Sequence, residues 1–420
     1  MSRGPEGSRA ARAIPRPGGG QQPGTPSLLR TINERSLLDL LRREGSMSRP
    51  ELARETGLSK PTVSLALGKL EAAGLVREAG RHAHARGRAA VVYEPETRAG
   101  FVLGVDIGRE FVRVAVADLA GVVVARRDAR NGARSAASVV RTVERLAREV
   151  VEAAGLAWAD IVHTVVGSPG TFDAASGRML LAPNLPGWGR RGLVEDLRRV
   201  LSPSLAVEND ANLAALGERS YGHGADADTF VFITLGTGVG MGIVLDGELY
   251  AGAHGMAGEI GFLPLSEDPG SPPDRVRGMV EDVLSAEGVV RSARELGMTG
   301  ATTAKEIFAA ARRGDELALR TVEREGERLA LIVAAVAAIV DPQLVVLGGG
   351  IGANFELLRS ALERELERIT PLRTRVVDTM LGEDAVVLGA IATGLDVAHE
   401  LVFEQRTTGV PVAAARRSGA

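Results

Sequence analysis

A chain of 420 residues with 45% hydrophobic side chains can bury two or three separate cores, and its lack of cysteine excludes disulfides, thiolate zinc sites and cysteine nucleophiles. The net charge of -3 hides an asymmetry: residues 1–95 hold 16 Arg and Lys against 9 Asp and Glu, and the remainder holds 34 against 44. The basic end suits a polyanionic partner, although only 3 of the 50 cations are Lys, which points to genomic base composition behind the arginine count.

Residues 1–26 are rich in Gly, Pro, Arg and Ser without apolar periodicity and are expected to form a disordered arm; 401–420 read as a flexible tail. An amphipathic helix is expected from about Leu28 to Arg43. Ser48 followed by Glu51 has the form of a capping box, with Pro50 in the first turn of the helix it opens. Leu52 and Ala53 face inward, Gly57 permits a tight turn, Leu58 fills the corner, and Ser59 caps a second helix whose Val63, Leu67 and Leu70 recur at helical spacing. Ser59, Lys60, Thr62, Ser64 and Lys69 then lie outward, the residue types that meet base edges and phosphates in a major groove. Gly74–Glu78 and Ala89–Tyr93 read as a hairpin whose loop carries Arg81, His82, His84, Arg86 and Arg88, a wing suited to phosphates or a minor groove. The order helix, helix, recognition helix, basic hairpin predicts a winged helix-turn-helix over 27–95; the plainer alternative is a small helical domain with a solvated basic loop.

From Phe101 the pattern becomes strands alternating with helices. Phe101–Gly108 is an apolar strand ending in Asp106-Ile107-Gly108, Phe111–Asp118 and Val122–Arg126 follow as strands, a helix spans about Ala136–Ala154, and Ile161–Val166 leads into Gly167-Ser168-Pro169-Gly170. The theme returns at Phe230–Leu235, which enters Gly236-Thr237-Gly238, a turn able to present backbone N–H groups to a phosphate or to act as an ordinary hairpin turn. Leu344–Leu347 enters Gly348-Gly349-Gly350 in the same way. The longest apolar run, Leu329–Val340, has 12 residues, reads as a buried helix, and leaves no membrane span or leader expected.

Three further strings carry a family resemblance: Glu208-Asn209-Asp210-Ala211-Asn212, Gly255-Met256-Ala257-Gly258-Glu259-Ile260-Gly261, and Pro183-Asn184-Leu185-Pro186-Gly187-Trp188. With them the chain, over roughly residues 28–400, resembles the ROK family (repressors, open reading frames and sugar kinases), in particular its xylose-repressor-like branch. The resemblance implies an α/β fold in which the winged helix-turn-helix joins a two-lobed actin-like (RNase H-like) sugar-kinase domain over 96–400. It implies a sugar held by Asn184, Asn209, Asp210, Glu259 and the backbone at Gly170. Asp210 would be the general base of a kinase or its vestige, and the plain alternative for it is a helix N-cap. Asp106, Gly108, Gly236, Thr237, Gly238, Gly349 and Gly350 would be what remains of the nucleotide motifs.

Two departures from the family's kinases matter. Arg109 and Glu110 replace the Gly-Thr that follows the first Asp-x-Gly, so a triphosphate meets a bulky cation and a repelling carboxylate and ATP use is impaired. The family's zinc segment is absent: Phe262 stands where histidine is expected, and a Pro/Asp/Ser loop, Pro264–Asp274, replaces the cysteines, so no zinc is expected. The chain is therefore expected to be a cytoplasmic, sugar-responsive transcriptional repressor rather than an enzyme, a homodimer or homotetramer that binds operator DNA and a sugar or sugar derivative. The alternatives are an active ATP-dependent sugar kinase with an accessory DNA-binding domain, and a regulator whose effector is a phosphosugar or no sugar at all.

Overall fold

In the computed structural model, which describes residues 26–82, 90–173, 176–182, 185–202, 204–264 and 278–408, α1 (Pro26–Glu44) buries Leu37, Leu38 and Leu41 against the elements that follow it. Strand β1 (Met47–Ser48) runs directly into α2 (Arg49–Thr56), where the Ser48 N–H and hydroxyl both donate to Glu51 Oε2, at 2.8 and 2.6 Å. Gly57, at φ 69°, turns the chain into α3 (Lys60–Ala72); Thr62 N–H donates to the Ser59 hydroxyl at 3.3 Å, and Val63, Leu67 and Leu70 are fully buried. The hairpin β2 (Val76–His82) and β3 (Ala90–Pro95) completes a sheet of order β1-β3-β2. The first strand starts two residues later than the sequence suggests because Gly74 (φ 64°) closes α3, with Leu75 N–H donating to Leu70 O at 2.9 Å. Strand β1, too short to register as a pattern, was not expected.

The chain divides after Pro95 into two compact units, Met1–Pro95 and Glu96–Ala420. The second opens with β4 (Phe101–Ile107), β5 (Phe111–Asp118) and β6 (Val123–Arg130), then α4 (Ala136–Ala153), β7 (Ile161–Ser168), the hairpin β8 (Thr171–Asp173) and β9 (Arg178–Leu180), α5 (Leu193–Val200), β10 (Leu205–Asn209) and α6 (Asp210–Tyr221). It continues with β11 (Phe230–Leu235), β12 (Val239–Leu245), β13 (Glu248–Leu249), α7 (Met279–Leu284), α8 (Ala286–Glu295), α9 (Ala304–Arg312), α10 (Glu316–Val340), β14 (Leu344–Gly348), α11 (Gly349–Gly352), α12 (Phe355–Ile369), β15 (Arg375–Asp378) and α13 (Ala385–Thr408).

Two five-stranded sheets result, β6-β5-β4-β7-β10 and β13-β12-β11-β14-β15, and they share one topology. In each, three antiparallel strands are followed by two parallel ones. Each sheet defines a lobe, the actin-like architecture expected. Helix α13 packs on β4 and β7, α6 packs on β11 and β12, and the two helices pack on each other. Backbone contact makes this seam tight: a Cβ at Gly389 would lie 1.7 Å from Leu213 O, and one at Gly217 would lie 2.3 Å from Ala385 O.

The expected C-terminal tail is corrected at its start. Residues 401–408 continue α13, with Leu401, Val402 and Phe403 buried, because the apolar period of that helix does not end at 400. By length and apolarity alone, Gly382–Thr407 is also the one described helix able to cross a membrane; here it lies between α6 and the first sheet. Residues 1–25 and 409–420 lie outside the described residues.

Candidate functional site

In the winged unit, α3 presents Lys60, Ser64 and Leu65 to solvent. Leu65, 58% exposed, was not singled out from the sequence, yet an exposed apolar side chain beside Ser64 can meet a thymine methyl. Ser59 and Thr62 hold each other, hydroxyl to hydroxyl, at 2.8 Å, and Thr62 is half-buried. Lys69 also donates from its ammonium to Glu34 Oε1 at 2.8 Å, and that carboxylate is only 8% exposed, so the pair ties α1 to α3. The backbone of Arg81 pairs with Val91 in the hairpin; Arg86 and Arg88 lie outside the described residues.

The second site is built where α6 begins. The cap of that helix is Asn209, not Asp210: Asn209 Oδ1 accepts from the N–H groups of Ala211 and Asn212 at 2.9 and 3.2 Å, and its Nδ2 donates to Gly170 O at 3.3 Å. Glu208 locks this turn by accepting from the Asn209 N–H and from Asn212 Nδ2. Asp210, the first helical residue, accepts the Ala211 N–H at 2.9 Å. Gly170 (φ 80°) is required because a Cβ would lie 2.1 Å from Leu180 O. Gly258 (φ 91°), just before Glu259, must be glycine because a Cβ would meet Met241 O at 1.9 Å. Burial, Asp210 and Glu281, in that order, push the Glu259 carboxyl up to about 7. Burial also raises Asp210, opposed by the Ala211 N–H. Trp188, fully buried, donates from Nε1 to Ser168 Oγ at 2.7 Å; Asn184, in the same loop, lies outside the described residues.

The glycine turns of lobe two adjoin one another. Gly236 N–H donates to Gly238 O at 3.0 Å to close the turn containing Thr237, and a Cβ at Gly236 would lie 3.7 Å from the Gly350 N. Gly349 (φ 77°) must be glycine, since a Cβ would meet Leu235 O at 2.4 Å. In lobe one the counterpart turn, Gly108 to Glu110, carries two exposed charged side chains. Arg109 reaches across to Glu287 of α8 at 3.7 Å, and Asn131 fastens Gly108 O at 2.7 Å. Asp106 is buried and pairs with Arg113 at 3.0 Å. Burial pushes Asp106 up to about 7, with Arg113 pulling it down and Asp210 raising it. Sequence reasoning missed Arg113, although the signal was present: with a turn at Gly108–Glu110, Asp106 and Arg113 face each other across the hairpin.

Residues 102–396 match the ROK family, and residues 30–77 match a winged helix-turn-helix DNA-binding family. The chain belongs to the ROK family. A glucokinase of Thermotoga maritima is 33% identical over 59% of this chain and 83% of its own length. The xylose repressor of Caldicellulosiruptor bescii is 25% identical over 88% of this chain and 96% of its own. A crystal structure of a ROK family transcriptional regulator, a homologue of the E. coli MLC protein, overlays with a TM-score of 0.72 at 23% identity, covering 91% of this chain and all of that one. The ROK domain of this chain is thus similar both to kinases and to repressors, and its winged unit is shared with the latter.

The chain has no cysteine, Phe262 is partly exposed, and the described residues hold no group of three His, Asp or Glu able to ligate a metal; 265–277 lie outside them.

Proposed function

We propose that this ROK protein is a cytoplasmic, sugar-responsive transcriptional repressor that binds operator DNA as a homodimer or homotetramer and takes a free sugar between its lobes. One observation supports the reading: Asn209 caps α6 and bonds Gly170 O, leaving the adjacent Asp210 carboxylate as a hydrogen-bonding group for a polyhydroxylated ligand, in a chain that also carries a winged helix-turn-helix. The effector acts by binding one lobe arrangement better than another, and its differential affinity sets how far the DNA-binding state shifts. The protein requires no zinc, and ATP turnover is not part of its cycle: Asp106 is engaged by Arg113, and Arg109 and Glu110 stand in the first phosphate turn.

The test joins two measurements. A thermal-shift screen of D-glucose, D-xylose, D-galactose and N-acetyl-D-glucosamine identifies the ligand, and operator release by that sugar is then titrated. Asp210→Asn keeps shape but loses the anionic acceptor, so sugar affinity should fall by about 1–3 kcal/mol and the variant should stay on DNA at sugar concentrations that release the wild type. Unaltered release by the variant would refute the placement of the sugar.

The open glycine turns at Gly236–Gly238 and Gly349–Gly350, with the glucokinase similarity, favour a second reading: a working sugar kinase with an accessory DNA-binding domain. A coupled kinase assay on the same sugars decides between them.

A further inference from the structure

The longest apolar run of the chain, Leu329–Val340, holds no charged residue, yet only one side of it is buried. It forms the C-terminal half of α10, where Leu329, Ala330, Ile332, Val333 and Val336 belong to the core of lobe two. The other side is a stripe at helical spacing. Leu331 is 42% exposed, Ala334 and Ala335 are half-buried, and Ile339, at 78%, is the most exposed large apolar side chain among the described residues.

Packing within the lobe leaves this stripe facing outward. Helix α12 is the main neighbour of α10, and the two come close at Gly326, where a Cβ would lie 2.8 Å from Leu358 O. Ala335 follows nine residues later, and nine steps of about 100° make two and a half turns, which sets it on the opposite side of the helix from α12. A helix solvated there would carry polar side chains, so the apolar stripe marks a surface made to be covered.

The pattern of the stripe says by what. Leu331 lies four residues before Ala335 and Ile339 four residues after it, so the stripe reads alike in both directions. Its ends carry opposite charges, Arg328 before it and the exposed Asp341 just past it. An antiparallel copy related by a two-fold axis through Ala335 sets Leu331 against Ile339 of the second copy and Arg328 beside its Asp341, and symmetry repeats both contacts. The alanines at the centre let two helices approach to about 8 Å, the short end of the usual range. Each chain also carries a single α3, and a two-fold pair supplies one for each half-site of a palindromic operator.

We propose that the Leu331–Ile339 stripe is the core of a two-fold interface whose occupant is α10 of a second copy of this chain. It names the contact behind the homodimer of the reading above and rests on that part of it.

The experiment uses the full chain. In sedimentation velocity across a concentration series, Ile339→Glu sets a carboxylate against an apolar partner surface, and the dimer dissociation constant should rise at least about tenfold. Leu319→Glu, also exposed on α10 but off the stripe, should associate like the wild type. Because the chain has no cysteine, single-cysteine variants report the register. Ala335→Cys meets itself on the axis and should form an interchain disulfide on mild oxidation. Leu331→Cys and Ile339→Cys should cross-link when mixed with each other and far less when either is oxidised alone.

An associated wild type whose Ile339→Glu variant associates equally well, or an Ala335→Cys variant that does not cross-link, overturns this interface and leaves the sugar-sensing repressor reading standing. A wild type that is monomeric throughout overturns the interface together with the oligomer in that reading. A monomeric wild type that also loses Tm in Ile339→Glu would show the stripe covered by its own chain. Sugar titration of Ile339→Glu should match the wild type, so that failure of sugar sensing is read separately.

Discussion

The two lobes share one strand order, yet their first hairpins end differently. In lobe two the turn between β11 and β12 is Gly236-Thr237-Gly238, with Gly349 and Gly350 alongside it. In lobe one the turn between β4 and β5 carries Arg109 and Glu110, with Arg109 held by Glu287 and the preceding Asp106 held by Arg113. Topology fixes where a ligand can approach, at the ends of the central strands; the two or three residues in the turn decide whether it is admitted. Here one lobe presents glycines at that point and the other presents charged side chains.

Turnover is the largest effect that could break this contrast. If Arg109 and Glu110 exclude a triphosphate from lobe one, the wild type should release no ADP in the presence of any sugar it binds. Turnover at the ordinary kinase rate of about 1–100 per second would show that Arg109 and Glu110 do not close the turn.

Backbone geometry offers the next test. Gly349→Ala forces a Cβ to within 2.4 Å of Leu235 O at a positive φ and should cost about 1–3 kcal/mol, read as a lower denaturant midpoint. Gly108→Ala, whose Cβ would meet Phe111 O at 3.1 Å without a positive φ, should cost clearly less. Equal losses would mean that the glycines of the two turns are under the same constraint.

The acids at the cleft separate the lobes more finely. Asp106 in lobe one and Glu259 in lobe two are both pushed up to about 7 by burial, but only Asp106 has a cation against it. Each holds a proton in the folded state that it has lost in the unfolded state between about pH 4 and 7, so stability without sugar should decline as pH rises through that window. Glu259→Gln should flatten the decline in a Tm-versus-pH series, and an unchanged slope would remove Glu259 from the coupled set. Smallest of all should be Arg109→Ala. An exposed pair at 3.7 Å contributes about 0–1 kcal/mol, so Tm should move by less than about 2 °C.

How far the sequence could be read followed the range of the interactions involved. The alternating strands 101–107 and 111–118, the long α4 and the caps at Ser48 and Ser59 depend on neighbours a few residues away, and their patterns are visible in one dimension. Between Trp188 and Glu208 the sequence reading assigned no element, although α5 and β10 lie there: eight and five residues give too few periods, and β10 exists because β7 is present to pair with it. Side-chain roles obeyed the same rule. Asn209 and Asp210 announced themselves through a string, although which of them caps the helix needed coordinates. The bond from Lys69 to Glu34 went unread because the two lie 35 residues apart. Arg113 escaped notice because it matters only once the hairpin folds it onto Asp106.

The glycine seam between α6 and α13 has a mechanical meaning. Helices separated by interlocked side chains can creep past one another as rotamers adjust, but at Gly217 and Gly389 main chain rests on main chain, and there are no rotamers to adjust. The crossing therefore behaves as a pivot rather than a sliding joint. One arm of it starts at Asp210; the other runs out to His399 and Arg406, whose side chains bond Leu119 O at 2.8 Å and Ala99 O at 2.7 Å, just downstream of Pro95. A rotation of a few degrees about such a fulcrum leaves the centre still and is largest at the tips of both arms.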